Sequence, residues 1–555
     1  MNYQISALSL PLQSQIFELI AKARWFQNKD SLNIFPDFIQ EQIKFIDLFE
    51  FFDCAFALAQ FIQIPGKPIY LVLLKSQNGQ YELASKVDKK FESLELICSK
   101  DKSEAEIFFK LHELLLSHNN KLQTQNGYIE LKFYSPNSEL KSKSEPQFKT
   151  EEKQLNIICS TNDSTNTAFH LNKKSILKLY RKVEIGSHPE DQILCLLSNV
   201  QPKDRLSAIP LSKLIWHLNE STLQDLNEMN AENLGENKKN INEEINCNEI
   251  VFGLEQELLD NTGTCWSLLE KRLEELNSLM RSTFVSPPNP LGRGSSDKLS
   301  LSAELSDTTA LTPACISLIE TLDQCFEAIG INLAEMHNQI FELSGKPPFT
   351  ISDFSSEDLQ EIETEIFELF NSLKTQSSES TYRFNILTKG KLDSFIKTEK
   401  EKLNGSSGIK LKIHGDFHLG QILRTRIGYK IIDFEGQPIN SLAERWKLKS
   451  PLKDLAGALR SIQYARDLNA KKRDIEKQNS ANTELNDFWD KTFLHFEFRL
   501  IEGYTYKAEF PLPDAITPLL NLEILLKTFQ ELDYELKTRP EMAWICLKAL
   551  EEQIG

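Results

Sequence analysis

The sequence predicts an α+β chain of two or more domains, in which a β-rich lobe precedes a helical lobe with a small acidic hairpin embedded in it. Three observations predict this. The chain has 555 residues, more than one hydrophobic core usually serves. Short apolar runs bounded by polar turns fill the region from about 126 to 260, the pattern of a small antiparallel sheet. From about 311 onward apolar residues recur at i, i+3 and i+4, the helical period. One stretch, "IKLKIHGDFHLGQILRTRIGYKIIDFEGQP" (409–438), breaks that period and reads strand–turn–strand–acid.

Composition bounds the function. Hydrophobic residues make up 40% and charged ones 26%, a globular balance. The net charge of −17 argues against nucleic acid or an anionic membrane surface as the main partner. Any anionic nucleotide must then be met by local positive groups. The start, "MNYQISALSLPLQSQIFELI", has no basic segment before an apolar run, so no signal peptide is expected. No apolar stretch approaches the ~20 residues of a membrane span. The 9 cysteines include no C-x-x-C pair, which reads as reduced thiols in a cytoplasmic protein.

In chain order, residues 1–125 mix an amphipathic helical start with the strand signal "KPIYLVLLKS" and the apolar "EIFFKLHELLLSH". Residues 126–260 carry the runs "GYIELKFYS", "QLNIICS", "TAFHL", "SILKLYRKVE" and "IVFGLEQELL". The Asn- and Glu-rich segment near 224–248 reads as a solvated insertion between two strands. A Pro/Gly/Ser loop follows near 285–310. Residues 261–555 form the helical lobe, with a last helix signal "NLEILLKTFQELDYELKTRP" closed by Pro540.

The 409–438 stretch holds the chemistry. His414, Asp416 and His418 alternate, so on a strand they would face one way and suit zinc. But Gly415 breaks the strand, and Asp433 and Glu435 have no further histidine nearby. Phosphoryl transfer fits better. It needs a carboxylate to take the proton of the attacking hydroxyl and hard oxygen ligands for Mg²⁺. Asp416 on a turn, Gln421 five residues later and Asp433 after the next strand supply that set, and Asp433 opens a D-F-E-G run. His414 has a structural job, holding the turn. Lys178, in an alternating strand, needs an anionic partner: Glu190 or Gln192 on the following helix, or the nucleotide. "STNDSTNTAFH" offers hydroxyl and amide donors for phosphate without the usual glycines.

With these residues in hand, the chain resembles the bacterial maltokinases. The likeness is carried by "ARWFQNKD" (23–30), "DSTNTAF" (163–169), "ILKLYRKVE" (176–184), "GLEQELLDNTGTCW" (253–266) and "AEMHNQI" (334–340). It continues through "HGDFHLGQILRT", "IIDFEGQP", "LAERWKLKSPLKDLAGALRSIQYA" and "ELDYELKTRPEMAWICLKAL". The resemblance implies a two-lobed, protein-kinase-like fold of the aminoglycoside phosphotransferase type, with an N-terminal cap over 1–125. It implies a nucleotide-binding lobe over 126–260 and a helical lobe over 261–555. The implied activity is ATP- and Mg²⁺-dependent phosphorylation of maltose at C1, feeding α-glucan and trehalose metabolism. Asp416 is then the base, and Gln421, Asp433 and Glu435 the metal ligands. Thr165, Asn166 and Thr167 form the phosphate loop, with Lys178 and Glu190 behind it. Glu257 and Leu258 meet adenine at the hinge, and His418, Lys527 and Tyr534 contact the sugar. Lys527 and Tyr534 sit seven apart, a spacing that any helix face also produces. Trehalose synthase is a partner the resemblance raises. The alternatives are a kinase of another hydroxylated acceptor, such as an aminoglycoside or choline, and a catalytically weak scaffold.

Overall fold

The computed structural model describes residues 43–51, 54–61, 69–77, 80–83, 111, 114–124, 126–134, 157–159, 166–171, 174–201, 204–231, 249–283, 312–345, 347–375, 387–403, 408–476 and 483–554. The chain divides into two compact units. One comprises residues 1–259 with 434–447, the other 260–433 with 448–555. The chain thus leaves the second unit between Asp433 and Phe434, inside the D-F-E-G run, and returns to it at Leu448.

The first unit is built on two antiparallel sheets. Strands β1 (Ile43–Phe51), β2 (Cys54–Phe61), β3 (Ile69–Gln77) and β4 (Gln80–Leu83) form one sheet with the later, short β10 (Lys182–Val183). The other has the order β5-β6-β11-β12-β9-β8-β7, with β5 Lys121–Gln123, β6 Gly127–Phe133, β7 Ile157–Cys159 and β8 Thr167–Leu171. Its remaining strands are β9 Ser175–Leu179, β11 Pro210–Leu218 and β12 Glu249–Glu257. β11 and β12 lie in the middle and are buried on both faces, so they read as continuous apolar runs instead of alternating ones. Asp47 on β1 is fully buried. It accepts hydrogen bonds from the Trp216 indole at 2.8 Å and the Asn126 amide at 2.8 Å. Those two donors stabilise a carboxylate that would otherwise be costly to bury, and they tie β1 to the second sheet.

Helix α1 (Pro189–Leu197) follows β10, with Pro189 at its start, where the missing N–H costs nothing. Helix α2 (Glu220–Ala231) forms the first part of the Asn/Glu-rich segment, between β11 and β12. Residues 232–248, and the 285–310 loop, lie outside the described residues, as does the "ARWFQNKD" motif with Arg24 and Trp25.

The second unit is helical: α3 (Cys265–Thr283), α4 (Pro313–Leu343), α5 (Ser356–Thr375), α6 (Lys389–Leu403), α7 (Leu452–Glu476), α8 (Thr483–Lys507), α9 (Ile516–Thr538) and α10 (Ala543–Ile554). Thr312 caps α4 by accepting the Cys315 N–H. α4 and α8 pack so closely that a Cβ on Gly330 would lie 2.1 Å from the Leu500 carbonyl oxygen. Two small ribbons, β13 (Ser352–Asp353) with β14 (Ile409–Lys410) and β15 (Ile422–Thr425) with β16 (Gly428–Ile431), frame the 409–438 stretch.

Candidate active site

The candidate catalytic loop runs from His414 to Gln421, and its backbone is fixed by one carboxylate. Asp454, four residues after Ser450 on α7, is 1% exposed. It accepts the His414 N–H at 2.8 Å through Oδ2 and the Gly415 N–H at 2.9 Å through Oδ1. His337 on α4 lies 3.1 Å from Oδ2 through Nε2, and its Nδ1 meets the Tyr504 hydroxyl at 2.9 Å. Burial pushes the Asp454 carboxyl up. The His337 hydrogen bond, the charges of His337 and His414 and the Gly415 N–H outweigh it, and the carboxyl lies below its ordinary value. Gly457, one turn on, lets the helix touch the loop: a Cβ there would stand 2.2 Å from the Phe417 carbonyl oxygen.

His414 is structural, as its position suggested. Its Nε2 donates to the Ile432 carbonyl at 2.9 Å, and its Nδ1 accepts the Asp416 N–H at 3.3 Å. His418 accepts the Gly420 N–H through Nδ1 at 3.1 Å and so caps the short 3₁₀ turn Leu419–Gln421. His414 is thus committed to backbone groups through both ring nitrogens, and His418 through Nδ1.

Asp416 meets Lys527 of α9, Nζ to Oδ1, at 3.1 Å, and its side chain keeps 26% exposure. Burial raises the Asp416 carboxyl, but the charges of Lys527 and His418 prevail and hold it below the usual carboxylate range. Burial lowers Lys527, yet Asp416 and then Glu531 raise it above its ordinary value. His418 is lowered, chiefly by burial. Glu531 lies one turn beyond Lys527 and is gripped by buried Arg460 at 3.1 and 2.9 Å. Tyr534 is 47% exposed, with the Arg539 guanidinium 5.8 Å from its ring. It shares α9 with Lys527 but stands two turns away.

Gln421 and Asp433 are side by side: the glutamine Nε2 donates to Asp433 Oδ2 at 2.9 Å. That bond fixes which end of the amide is oxygen. Asp433 itself adopts φ of 69°, a left-handed conformation that Asp tolerates better than most L-residues. An amide oxygen beside a carboxylate offers hard donors, the type Mg²⁺ prefers when phosphate oxygens and water complete its shell. Among the described residues no group of three or more His, Cys, Asp or Glu is arranged to hold a metal ion. One amide oxygen and one carboxylate fit Mg²⁺ whose shell is shared with a ligand.

In the first unit, Lys178 on β9 is buried and lies 2.9 Å from Glu190 Oε2 of α1. Tyr180 donates to the same oxygen at 2.7 Å. Glu190, in the first turn of α1, is the partner; Gln192 instead donates to Asp191 at 2.9 Å. Two residues along a helix rotate about 200°, so both cannot face the strand. Glu435 is 4% exposed and accepts the Asn166 amide at 2.6 Å, with Lys178 Nζ at 3.6 Å from the same Oε1. Thr165, and the side chain of Thr167, lie outside the described residues. Glu257 ends β12. Its N–H donates to the Ile209 carbonyl, and the Leu258 N–H to that of Lys174, both at 2.9 Å. Those two donors are therefore already engaged.

Each unit thus gathers part of the predicted set: Asp416, His418, Gln421, Asp433 and Lys527 in one, Asn166, Lys178, Glu190 and Glu435 in the other. Asp454, Tyr180, Glu531 and Arg460 are additions: they lie in stretches that carry the resemblance, but sequence alone assigned them no role.

No protein-family model matches the chain. Among solved structures it is similar to a glucosamine kinase in complex with glucosamine, ADP and inorganic phosphate. That similarity covers 97% of this chain and 99% of that one at 12% identity, with a TM-score of 0.50. A second crystal form of a glucosamine kinase matches at 12% identity over 96% and 98% of the two chains, with a TM-score of 0.51. The fold is a two-lobed, kinase-like α+β fold. Within this kinase-like fold the strand-rich unit carries the buried lysine–glutamate pair, and the helical unit carries the Asp416 loop and the Gln421–Asp433 hairpin. No helix among the described residues is long and apolar enough to cross a membrane.

Proposed function

We propose that the chain is an ATP- and Mg²⁺-dependent phosphotransferase acting on a sugar hydroxyl, with maltose at C1 as the acceptor. The observation that carries the reading is the Asp416 loop: a carboxylate kept ionised by Lys527, five residues before Gln421, whose amide is bonded to Asp433. That is a base with two hard-oxygen ligands in a fixed order. Mg²⁺, when bound, would neutralise charge on the phosphates. The chain's own residues do the rest. Asp416 orients the acceptor hydroxyl and takes its proton as the oxygen attacks the γ-phosphorus and the bond to the β-phosphate oxygen breaks, releasing ADP. Lys178, held by Glu190, meets the phosphates. Positioning and electrostatic stabilisation supply most of the rate.

Maltose is favoured by the motif resemblance, and by the charge around the base. Asp416 is paired with Lys527 and Glu531 with Arg460, so those carboxylates are compensated and suit a neutral acceptor. An amino-sugar acceptor is the second reading, because the similar structure over nearly the whole chain is a glucosamine kinase holding glucosamine. Coupled ADP release over maltose, glucose, glucosamine and trehalose, with phosphorus NMR of the product, separates them. Maltose should be the best acceptor and give a 1-phosphate. Trehalose should be inert, because both anomeric carbons are blocked. A preference for glucosamine, or a 6-phosphate product, would replace the maltose assignment.

Lys527 should also set the acid limb of the pH profile. Its charge opposes the burial that raises Asp416. Lys527→Met removes the opposition, so the Asp416 pKa should rise. The acid limb of kcat/KM should then move to higher pH. The same sign holds for stability: the depressed Asp416 pKa contributes stability above the ordinary Asp value, lost as pH falls through the folded one. An acid limb that stays in place in Lys527→Met would show that another group titrates there.

A further inference from the structure

We infer that Cys265 and Cys325 form a reversible dithiol–disulfide pair, in which Cys325 attacks a peroxide and Cys265 then closes the link between helices α3 and α4. These residues have no part in the phosphoryl-transfer reading above. Both are free thiols, buried to 2% and 8% exposure.

The backbone around them brings the two sulfurs together. Thr264, next to Cys265, bridges to Leu423 on β15, and the Gly263 carbonyl accepts the Arg424 N–H at 3.0 Å. Arg424 pairs with Tyr429 across the β15–β16 hairpin. The Tyr429 hydroxyl in turn donates to Cys325 Sγ on α4 at 3.0 Å. One hairpin therefore holds both the start of α3 and the Cys325 side chain, and the Cys265 thiol donates a hydrogen bond to Cys325. Thiols in hydrogen-bond contact need only a small shift to reach the disulfide length of about 2.0 Å. The same hairpin joins Gln421 to Asp433, so the chemistry sits on the support of those two groups.

The two sulfurs are not equivalent. Cys325 Sγ receives two donors, the Cys265 thiol and the Tyr429 hydroxyl, with the Arg424 charge nearby, an arrangement that stabilises a thiolate. The Cys265 hydrogen bond lowers Cys325 most. Burial opposes it, the Tyr429 bond and the Arg424 charge add to it, and the thiol lies below its ordinary value. Cys265 is raised, by the bond it gives to Cys325 and then by burial. Cys325 is also the more exposed of the two.

The Cys325 thiolate attacks one peroxide oxygen, the O–O bond breaks, and hydroxide leaves as a sulfenic acid forms. The Cys265 sulfur attacks the sulfenic sulfur and displaces its oxygen as water, which carries away the Cys265 proton. Overall the two thiols lose two electrons and two protons, and one peroxide becomes two waters. A small thiol reverses the link by exchange.

The test treats the folded full chain with hydrogen peroxide, blocks remaining thiols with an alkylating agent and maps the cysteines by mass spectrometry, before and after dithiothreitol. The wild type should show a Cys265–Cys325 peptide pair lighter by two hydrogens, lost again on reduction. Cys265→Ser should stop at a sulfenic acid on Cys325, captured by dimedone. Cys325→Ser should give no dimedone adduct on Cys265. A wild type that keeps both thiols, or that pairs either one with another of its 9 cysteines, overturns the inference. So does a dimedone adduct on Cys265 in folded Cys325→Ser. Should one serine variant fail to fold, the wild-type map and the other variant still decide the matter. No readout here needs phosphoryl transfer, so the proposed function stands or falls separately.

Discussion

Asp416→Asn should lower turnover by roughly 10²–10⁴-fold, the usual contribution of a positioned general base, while nucleotide affinity stays close to that of the wild type. Asn nearly matches Asp in shape, but it cannot take the hydroxyl proton and cannot pair as an anion with Lys527, which lies 3.1 Å from Oδ1. The groups assigned to the nucleotide and metal, Lys178, Asn166, Gln421 and Asp433, are untouched. The loop itself should survive, because its backbone is anchored through His414 and Gly415 and not through the Asp416 side chain. Steady-state turnover beside calorimetric ADP affinity separates the two effects. Turnover near the wild-type value in the purified variant would remove Asp416 from the role of base.

Asp454→Ala should destabilise the helical unit by about 2–5 kcal/mol, since each buried hydrogen-bonding group left unsatisfied costs roughly 1–3 kcal/mol. Asp454 is 1% exposed and holds three donors: the His414 and Gly415 N–H groups and the His337 imidazole. Alanine leaves all three without an acceptor where water does not reach. Turnover should fall as well, on the order of 10²-fold, because small misplacements of a catalytic loop are costly. Asp454→Asn keeps one acceptor oxygen and should be the milder change. The depressed Asp454 carboxyl also means that its contribution to stability weakens as pH falls through its folded pKa, below the ordinary Asp value. Denaturant unfolding of the three proteins at neutral pH is the measurement. Equal midpoints for wild type and Asp454→Ala would show that the loop is held by something else.

Much of this arrangement is written locally in the chain. "SILKL" alternates and forms β9, "TAFHL" forms β8, and "NLEILLKTFQELDYELKTRP" forms α9 and stops before Pro540. The spacing of Asp416, Gln421 and Asp433 is short enough for a turn and a hairpin to place them, and β15 and β16 are that hairpin. What escaped the sequence depends on distant partners. Strands β1 and β2 carry no sharp signal, since β1 has a register shift between Phe45 and Asp47 and β2 is alanine-rich. Their sheet is completed by β10, more than a hundred residues later. Glu190 and Gln192 could not be told apart, because the phase of α1 is set by where Pro189 starts it. Asp454 lies in a stretch that carries the resemblance, but its partner His337 is on another helix, 117 residues away. No periodicity marks a residue whose role is to receive two backbone N–H groups from elsewhere in the chain.

The central claim is that Asp416, Gln421 and Asp433 direct the γ-phosphoryl group of ATP onto a sugar hydroxyl. The measurement that bears on it most directly is transfer of a labelled γ-phosphate from ATP to maltose by the purified full-length chain, with and without Mg²⁺, beside the Asp416→Asn variant. The account predicts labelled maltose 1-phosphate from the wild type with Mg²⁺, and loss of nearly all of it on chelation or in the variant. Label that never reaches any sugar in the panel, or that reaches maltose equally well in Asp416→Asn, would contradict it.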